Sequence, residues 1–134
     1  MFRRWFPLAG MAMGLTAAAS AQSLGTVTLP VPVMADGRRV AVGTYQIRLT
    51  SEVPQTVLGQ SPDSERWVEF VSNGVVAGRE LATVLRSGDI DTVVNGPRPP
   101  ANGVRIDVLR GGDYVRVWLN RRGEHYLIHV PPAP

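Results

Sequence analysis

The chain has 134 residues, of which 44% are hydrophobic and 19% are charged, with a formal net charge of +3 and no cysteine. The lack of cysteine excludes disulfides, thiolate chemistry and cysteine-based metal sites. Every basic residue is an arginine, but acidic residues are interleaved with the arginines, as at Glu65, Arg66 and Glu69. A nucleic-acid-binding surface requires clustered positive charge, so nucleic acid is not an expected partner.

Residues 1–21 have the pattern of an export signal. Arg3 and Arg4 precede a stretch of small and apolar residues from Pro7 to Ala18, and an Ala-Ser-Ala cleavage site ends the segment. We therefore expect a cleavable signal peptide, a mature chain that begins at Gln22, and a periplasmic or secreted location.

An uncleaved membrane anchor is the alternative interpretation of this segment. A membrane span needs about 20 continuous apolar residues, and the apolar part here is shorter and contains Pro7, Gly10 and Gly14. Cleavage removes two arginines, which leaves twelve arginines against eleven carboxylates and a nearly neutral mature chain. No membrane span is expected after cleavage.

The mature chain is expected to form one domain over residues 22–130, followed by a frayed proline-rich tail over residues 131–134. A second domain would leave each half near the size at which metals or disulfides are usually needed. Glycine and proline interrupt every helical period, while apolar residues alternate between these breaks. This pattern predicts an all-β fold, an antiparallel β-sandwich of about seven to eight strands.

The first predicted strand runs from Leu24 to Met34 and should lie at a sheet edge, because Pro30 and Pro32 lack a backbone donor. A turn at Asp36-Gly37 leads into the next strand, Val40 to Thr50. The polar residues from Ser51 to Ser64 are predicted to form a long connection, and Asn73-Gly74 is a strong hairpin signal. Strands are also predicted at Trp67–Ser72 and, after the hairpin turn, from Val75 onward. Residues Arg79–Arg86 are predicted to continue as a strand, with a short helix as the alternative. A short strand at Ile90–Val94 and a loop at Asn95–Gly103 follow.

A hairpin is predicted in the C-terminal third, where Gly111-Gly112 joins Val104–Arg110 to Asp113–Asn120. A two-residue turn places Arg105 across from Trp118 and pairs Asp107 with Arg116. The core face of this hairpin is expected to carry Val104, Ile106, Val108, Val115, Val117 and Leu119.

The last predicted strand, Glu124 to Val130, has two possible registers. Pairing Glu124 with Leu119 across a four-residue turn sends Tyr126 and Ile128 to the core and His125 towards Trp118. Pairing Glu124 with Asn120 exchanges the two faces. The first register is preferred because it buries fewer polar groups.

The segment Ala35 to Leu49 contains Gly43-Thr44-Tyr45-Gln46-Ile47. It resembles the glycine-x-tyrosine-x-hydrophobic strand of small secreted β-sandwich modules, such as carboxypeptidase-regulatory-like and transthyretin-like domains. Val42 stands where proline or alanine is more usual before the glycine. The resemblance implies a sandwich fold and a binding or structural role, and it carries over no catalytic residue.

The two histidines do not suggest a shared metal site. On one strand, His125 and His129 would be roughly 13 Å apart, far beyond the reach of one zinc ion. The sequence contains no Gly-x-Ser-x-Gly elbow and no phosphate-binding loop. We therefore expect no metal, no cofactor and no enzymatic activity, with a small hydrolase or isomerase using His125 and a carboxylate as the alternative.

One group of side chains suggests a binding site on the outer face of the C-terminal sheet. An exposed tryptophan flanked by arginine and tyrosine can stack on sugar rings or anchor a protein. The competing interpretation is that a second sheet covers this face and makes Trp118 part of the core. The sequence thus predicts a cofactor-free module that binds an envelope protein or glycan, with its oligomeric state undetermined. The candidate binding residues are Arg105, Tyr114, Arg116, Trp118 and His125.

Overall fold

The fold is taken from a computed structural model, which describes residues 22–52, 64–94 and 96–134. The predicted signal peptide and most of the predicted connection from Ser51 to Ser64 lie outside the described residues. The described strands are β1 (Gln22–Leu29), β2 (Val33–Ala35), β3 (Arg38–Val40), β4 (Gly43–Leu49), β5 (Glu65–Ser72), β6 (Val75–Arg86), β7 (Val104–Leu109), β8 (Tyr114–Arg121) and β9 (Glu124–Val130). A short helix, α1 (Ile90–Val93), lies between β6 and β7.

Seven strands form one antiparallel sheet in the order β1-β4-β5-β6-β9-β8-β7. The sheet curls until β1 contacts β7 and β8. At this closure Gly25 lies against Val104 and Leu119, and Arg121 donates a hydrogen bond to the carbonyl oxygen of Ser23. The prediction of an all-β antiparallel fold is confirmed, and its packed layers are the opposing parts of one curled sheet.

The main hydrophobic core fills the inside of the curled sheet. Successive strand residues point to opposite faces, so alternate apolar residues of each strand point inward. The ring of Tyr45 meets that of Phe70 edge-on at a centroid distance of 6.1 Å. Burying a large apolar side chain of this kind contributes about 1.5–3 kcal/mol. The best buried members include Val27, Leu29, Ile47, Val68, Phe70, Val117, Leu119 and Ile128.

A small hairpin of β2 and β3 packs against β6 and β9. Its turn at Asp36-Gly37 has φ angles of 46° and 78°, as a type I′ turn requires. The edge position predicted for the first strand holds for β1, but the strand ends before Pro30 and the chain resumes as β2 after Pro32.

The proline-rich tail pairs with the hairpin, so the prediction that it frays is wrong. Pro131 accepts a hydrogen bond from the amide of Met34 at 2.9 Å. The amide of Ala133 donates to the carbonyl oxygen of Pro32 at 2.7 Å, and Val33 forms a bridge with Pro132. Proline lacks a donor but keeps its acceptor, which is the group that this pairing uses at Pro131.

Two predictions for the middle of the chain have opposite outcomes. The strand predicted at Arg79–Arg86 is confirmed as part of β6. The strand predicted at Ile90–Val94 is wrong, because this segment forms α1 and buries Ile90 and Val94, one helical turn apart, on the outer face of the sheet. No helix among the described residues is long and apolar enough to cross a membrane.

The C-terminal registers are partly as predicted. Asp107 pairs with Arg116, and Arg105 pairs with Trp118, which confirms the β7–β8 register. The predicted core residue Val108 is nevertheless 57% exposed. The pairing of Glu124 with Leu119 is wrong by two residues: Glu124 pairs with Arg121.

The β8–β9 turn explains this two-residue difference. Arg122 and Gly123 have φ angles of 53° and 83°, so they form a two-residue type I′ turn in place of the predicted four-residue one. A shift of two leaves each side chain on its predicted face. Tyr126 and Ile128 therefore point into the core as expected.

Candidate functional site

The predicted outer-face site contains an ion-pair cluster on β7 and β8. Asp107 accepts hydrogen bonds from Arg105 and Arg116, each at 2.9 Å. Burial tends to raise the pKa of Asp107, but the bonds and charges of Arg116 and Arg105 outweigh burial and hold that pKa below its ordinary value. These arginines are therefore engaged with a carboxylate of the same surface. Tyr114, at the end of the hairpin, is 42% exposed.

Trp118 is part of a second, smaller core. It is 1% exposed and packs with Ile90 of α1, with Val94 directly after α1 and with Leu127 of β9. Of the two interpretations of Trp118, the structure favours the buried one, although a helix rather than a second sheet covers it. Trp118 therefore offers no exposed ring on which a sugar could stack.

His125 is also buried, and its ring accepts a hydrogen bond from Trp118. The indole Nε1–H donates to Nδ1 of His125 at 2.8 Å, so the ring is neutral with its proton on Nε2. Burial lowers the pKa of His125, the charge of Arg98 lowers it further, and Asp91 opposes them. Nε2 is buried without a hydrogen-bond partner among the described residues.

The burial of His125 counts against its use as a general base, and the placement of the described acidic and histidine side chains counts against a metal site. A general base must reach the substrate proton within hydrogen-bonding distance, whereas the side chain of His125 has no exposed surface. Among the described residues, no group of three histidine, aspartate or glutamate side chains is placed to hold a metal ion.

The structure reveals a cavity that the sequence reasoning missed. It has a volume of about 720 Å³ and lies inside one end of the curled sheet. We call it the arginine cavity, since four of its nine described lining residues are arginines. The described lining residues are Gln22, Leu49, Arg66, Val84, Arg86, Arg121, Arg122, Glu124 and Tyr126.

Strand alternation accounts for this lining. Val84 points inward, so Arg86, two residues further along β6, points the same way at the end of the strand. Arg86 pairs with Glu124 on β9, and Glu124 pairs with Arg121 on β8. The outermost inward-facing row of these three strands is therefore charged.

Three of the four arginines that line the arginine cavity have no ion-pair partner among the described residues. Within the described part of the chain, Arg86, Arg121 and Arg122 form no ion pair with a carboxylate. Glu124 accepts a hydrogen bond from the hydroxyl of Tyr126 at 2.5 Å. Burial raises the pKa of Tyr126, and its bond to Glu124 raises it further. Tyr126 therefore stays protonated and acts as a donor.

A signal for this cavity is present in the sequence. Continuing the alternation beyond the apolar residues of β6, β8 and β9 places Arg86, Arg121 and Glu124 on the inner face. Strand ends are the least certain part of a sequence prediction, and the closure of the sheet that brings these ends together is a long-range property.

Comparisons of the chain with protein-family models, curated proteins and solved structures find no match. The resemblance of Ala35–Leu49 to carboxypeptidase-regulatory-like and transthyretin-like modules therefore stays a prediction.

Proposed function

We propose that the mature chain is a periplasmic or secreted binding module whose arginine cavity holds an anionic group of its ligand or partner. The observation that carries this proposal is the unbalanced charge of the cavity. Arg86, Arg121 and Arg122 lie around one concave space without a carboxylate ion pair among the described residues. Arginine is suited to carboxylates, sulfates and phosphates because its planar fork makes two parallel hydrogen bonds.

The size of the cavity also supports binding of a small group. Sites for small molecules are clefts of about 300–1,000 Å³, and the arginine cavity has about 720 Å³. The predicted partners, an envelope protein or a glycan, could present such a group. The alternative function as a hydrolase or isomerase using His125 receives less support, since that side chain is buried against Trp118.

The proposal is tested by an NMR titration of the mature chain with sodium phosphate, sodium sulfate and sodium acetate. Sodium chloride at matched ionic strength corrects for screening of surface charge. We expect saturable shifts of the Arg86, Arg121 and Arg122 Nε–H signals with at least one of the three anions. Substitution of Arg86 by glutamine should weaken that binding about tenfold.

Arg39 provides a matched control, since it is exposed on the β2–β3 hairpin and no described carboxylate pairs with it. R39Q should bind as the unchanged protein does. Shifts that follow ionic strength alone, or equal losses in R86Q and R39Q, would contradict the proposal.

A further inference from the structure

The layered lining of the arginine cavity indicates the chemistry of its ligand, an inference that rests on the proposed function. We infer that the ligand is an amphiphilic anion, with an acidic head group joined to an apolar body. The head group binds the arginines at the rim, and the body contacts the apolar side chains below them.

Two successive rows of inward-facing residues carry this inference. The outer row contains Arg86, Glu124 and Arg121, which are paired neighbours on β6, β9 and β8. Two residues deeper on the same strands, the row consists of Val84, Tyr126 and Leu119. Val84 and Tyr126 line the cavity, whereas Leu119 is fully buried in the main core. Two residues of a strand span about 6.6 Å, so charge gives way to apolar surface within that depth.

The deeper part of the cavity suits an apolar group. Leu49 and Val84 line it and are each partly exposed, whereas Tyr126 is 4% exposed. The hydroxyl of Tyr126 is already bonded to Glu124. A ligand entering below the rim would therefore meet aliphatic carbon and the edge of a phenol ring.

The same lining disfavours a purely polar ligand such as an acidic sugar. The hydroxyls of a sugar need hydrogen-bonding partners along the whole ring, and buried polar groups without partners are costly. The only neutral amide among the described lining side chains is that of Gln22. The ring of Tyr126 is too buried to serve as a stacking platform.

Isothermal titration calorimetry of the mature chain with sodium octanoate, sodium acetate and 1-octanol tests this inference, with octanoate kept below its micelle concentration. Octanoate carries both parts of the ligand, acetate only the head group and octanol only the apolar body. Each buried methylene strengthens binding about fourfold. We therefore expect octanoate to bind at least about tenfold more tightly than acetate, and more tightly than octanol.

Two substitutions separate the roles of the head group and the body. Arg86 is exposed at the rim, so R86Q should keep the fold and weaken both anions. V84T keeps the side-chain shape but replaces a methyl group with a hydroxyl, so it should weaken octanoate binding about fivefold and leave acetate binding unchanged. R39Q is the control for charge, and amide NMR spectra check that each variant is folded.

The outcomes distinguish the inference from the proposed function. Equal affinities for acetate and octanoate, both lost in R86Q, would overturn the amphiphilic ligand and leave the anion site intact. If octanol bound as tightly as octanoate and R86Q weakened neither, both the amphiphilic-anion inference and the proposed anion-binding function would be overturned. No binding of any probe would overturn the inference, and the phosphate and sulfate titrations would then decide the proposed function alone.

The amphiphile could be free in solution or part of a membrane. Co-flotation with phosphatidylglycerol vesicles, lost in R86Q and kept in R39Q, would identify a lipid head group as the source. Octanoate binding without co-flotation would identify a free amphiphile.

Discussion

The indole Nε1–H of Trp118 donates a hydrogen bond to Nδ1 of His125 at 2.8 Å, and both side chains are buried, with Trp118 packed against Ile90 of α1. The bond satisfies the polar atom of the tryptophan inside an apolar layer. It also requires His125 to be neutral, because a protonated imidazole would place a second donor opposite the indole. One hydrogen bond therefore links the packing of α1 to the charge state of His125.

Truncating Trp118 should destabilise the protein through loss of packing. W118A removes a buried aromatic ring and should lower the free energy of unfolding by about 3–5 kcal/mol. W118F keeps an aromatic ring but lacks the indole N–H, so Nδ1 of His125 loses its donor, which should cost about 1–3 kcal/mol. Urea unfolding followed by circular dichroism measures both changes. A W118A variant as stable as the unchanged protein would contradict this account and restore the outer-face binding hypothesis.

Stability should fall as the pH falls below about 6.5. The pKa of His125 is lowered in the folded state by burial and by Arg98, against the opposing charge of Asp91. The unfolded chain therefore binds more protons than the folded one below the ordinary histidine value of about 6.5. A one-proton difference changes the free energy of unfolding by about 1.4 kcal/mol per pH unit. Urea midpoints between about pH 7.5 and 5 measure this dependence.

His129 provides the comparison for this pH dependence. Partial desolvation and the charge of Arg116 lower its pKa too, although the residue is exposed, so it contributes in the same direction. H125N keeps an acceptor near the indole and removes the titrating ring, so it should flatten the pH dependence. H129Q should retain the part that is due to His125. Identical pH profiles for H125N and the unchanged protein would rule out His125 as the titrating group.

How far the sequence predicts this structure depends on how local each feature is. The hairpins at Asp36-Gly37 and Asn73-Gly74 follow from turn chemistry confined to a few residues, and both have the expected positive φ angles. The short helix at Ile90–Val93 could not be predicted in this way, because the surface that it covers comes from distant strands. The arginine cavity likewise depends on strand ends that only the curl of the whole sheet brings together.

The ion-pair cluster of Asp107 should be sensitive to loss of its carboxylate. D107N leaves Arg116, whose side chain is 13% exposed, without its ion-pair partner, and should cost about 1–3 kcal/mol. The pKa of Asp107 is lower in the folded chain than in the unfolded chain. The stabilisation by its carboxylate is therefore complete above about pH 3.9 and is lost as the pH falls through the lower, folded-state pKa.

Asp91 is the matched control for this substitution. It pairs with Arg98 at 2.7 Å, but its side chain is 71% exposed. D91N should therefore change stability by less than about 1 kcal/mol. Urea unfolding at neutral pH compares the two variants, and equal effects would mean that burial of the Asp107 cluster has no energetic consequence.

Gly78 is required where the β2–β3 hairpin packs on β6. An added Cβ would lie 2.8 Å from Cγ2 of Val40 and 3.5 Å from Cβ of Ala35, both buried. Valine has little freedom to rotate away, so G78A should displace the hairpin and cost about 1–3 kcal/mol. An added Cβ at Gly88 meets no atom within 4 Å. G88A should therefore leave the thermal midpoint nearly unchanged, and equal midpoints for the two variants would contradict the close packing at Gly78.

Removing residues 131–134 should loosen the hairpin that they pair with. The truncated chain loses the bonds between Met34 and Pro131 and between Ala133 and Pro32, at about 0.5–1.5 kcal/mol each. Hydrogen exchange at the Met34 amide is the direct measurement, since Pro131 is the acceptor for that group. Deleting Pro134 alone should leave the Met34 amide protected. Unchanged protection of that amide in the longer truncation would show that β2 is held by its contacts with β3 and β6 alone.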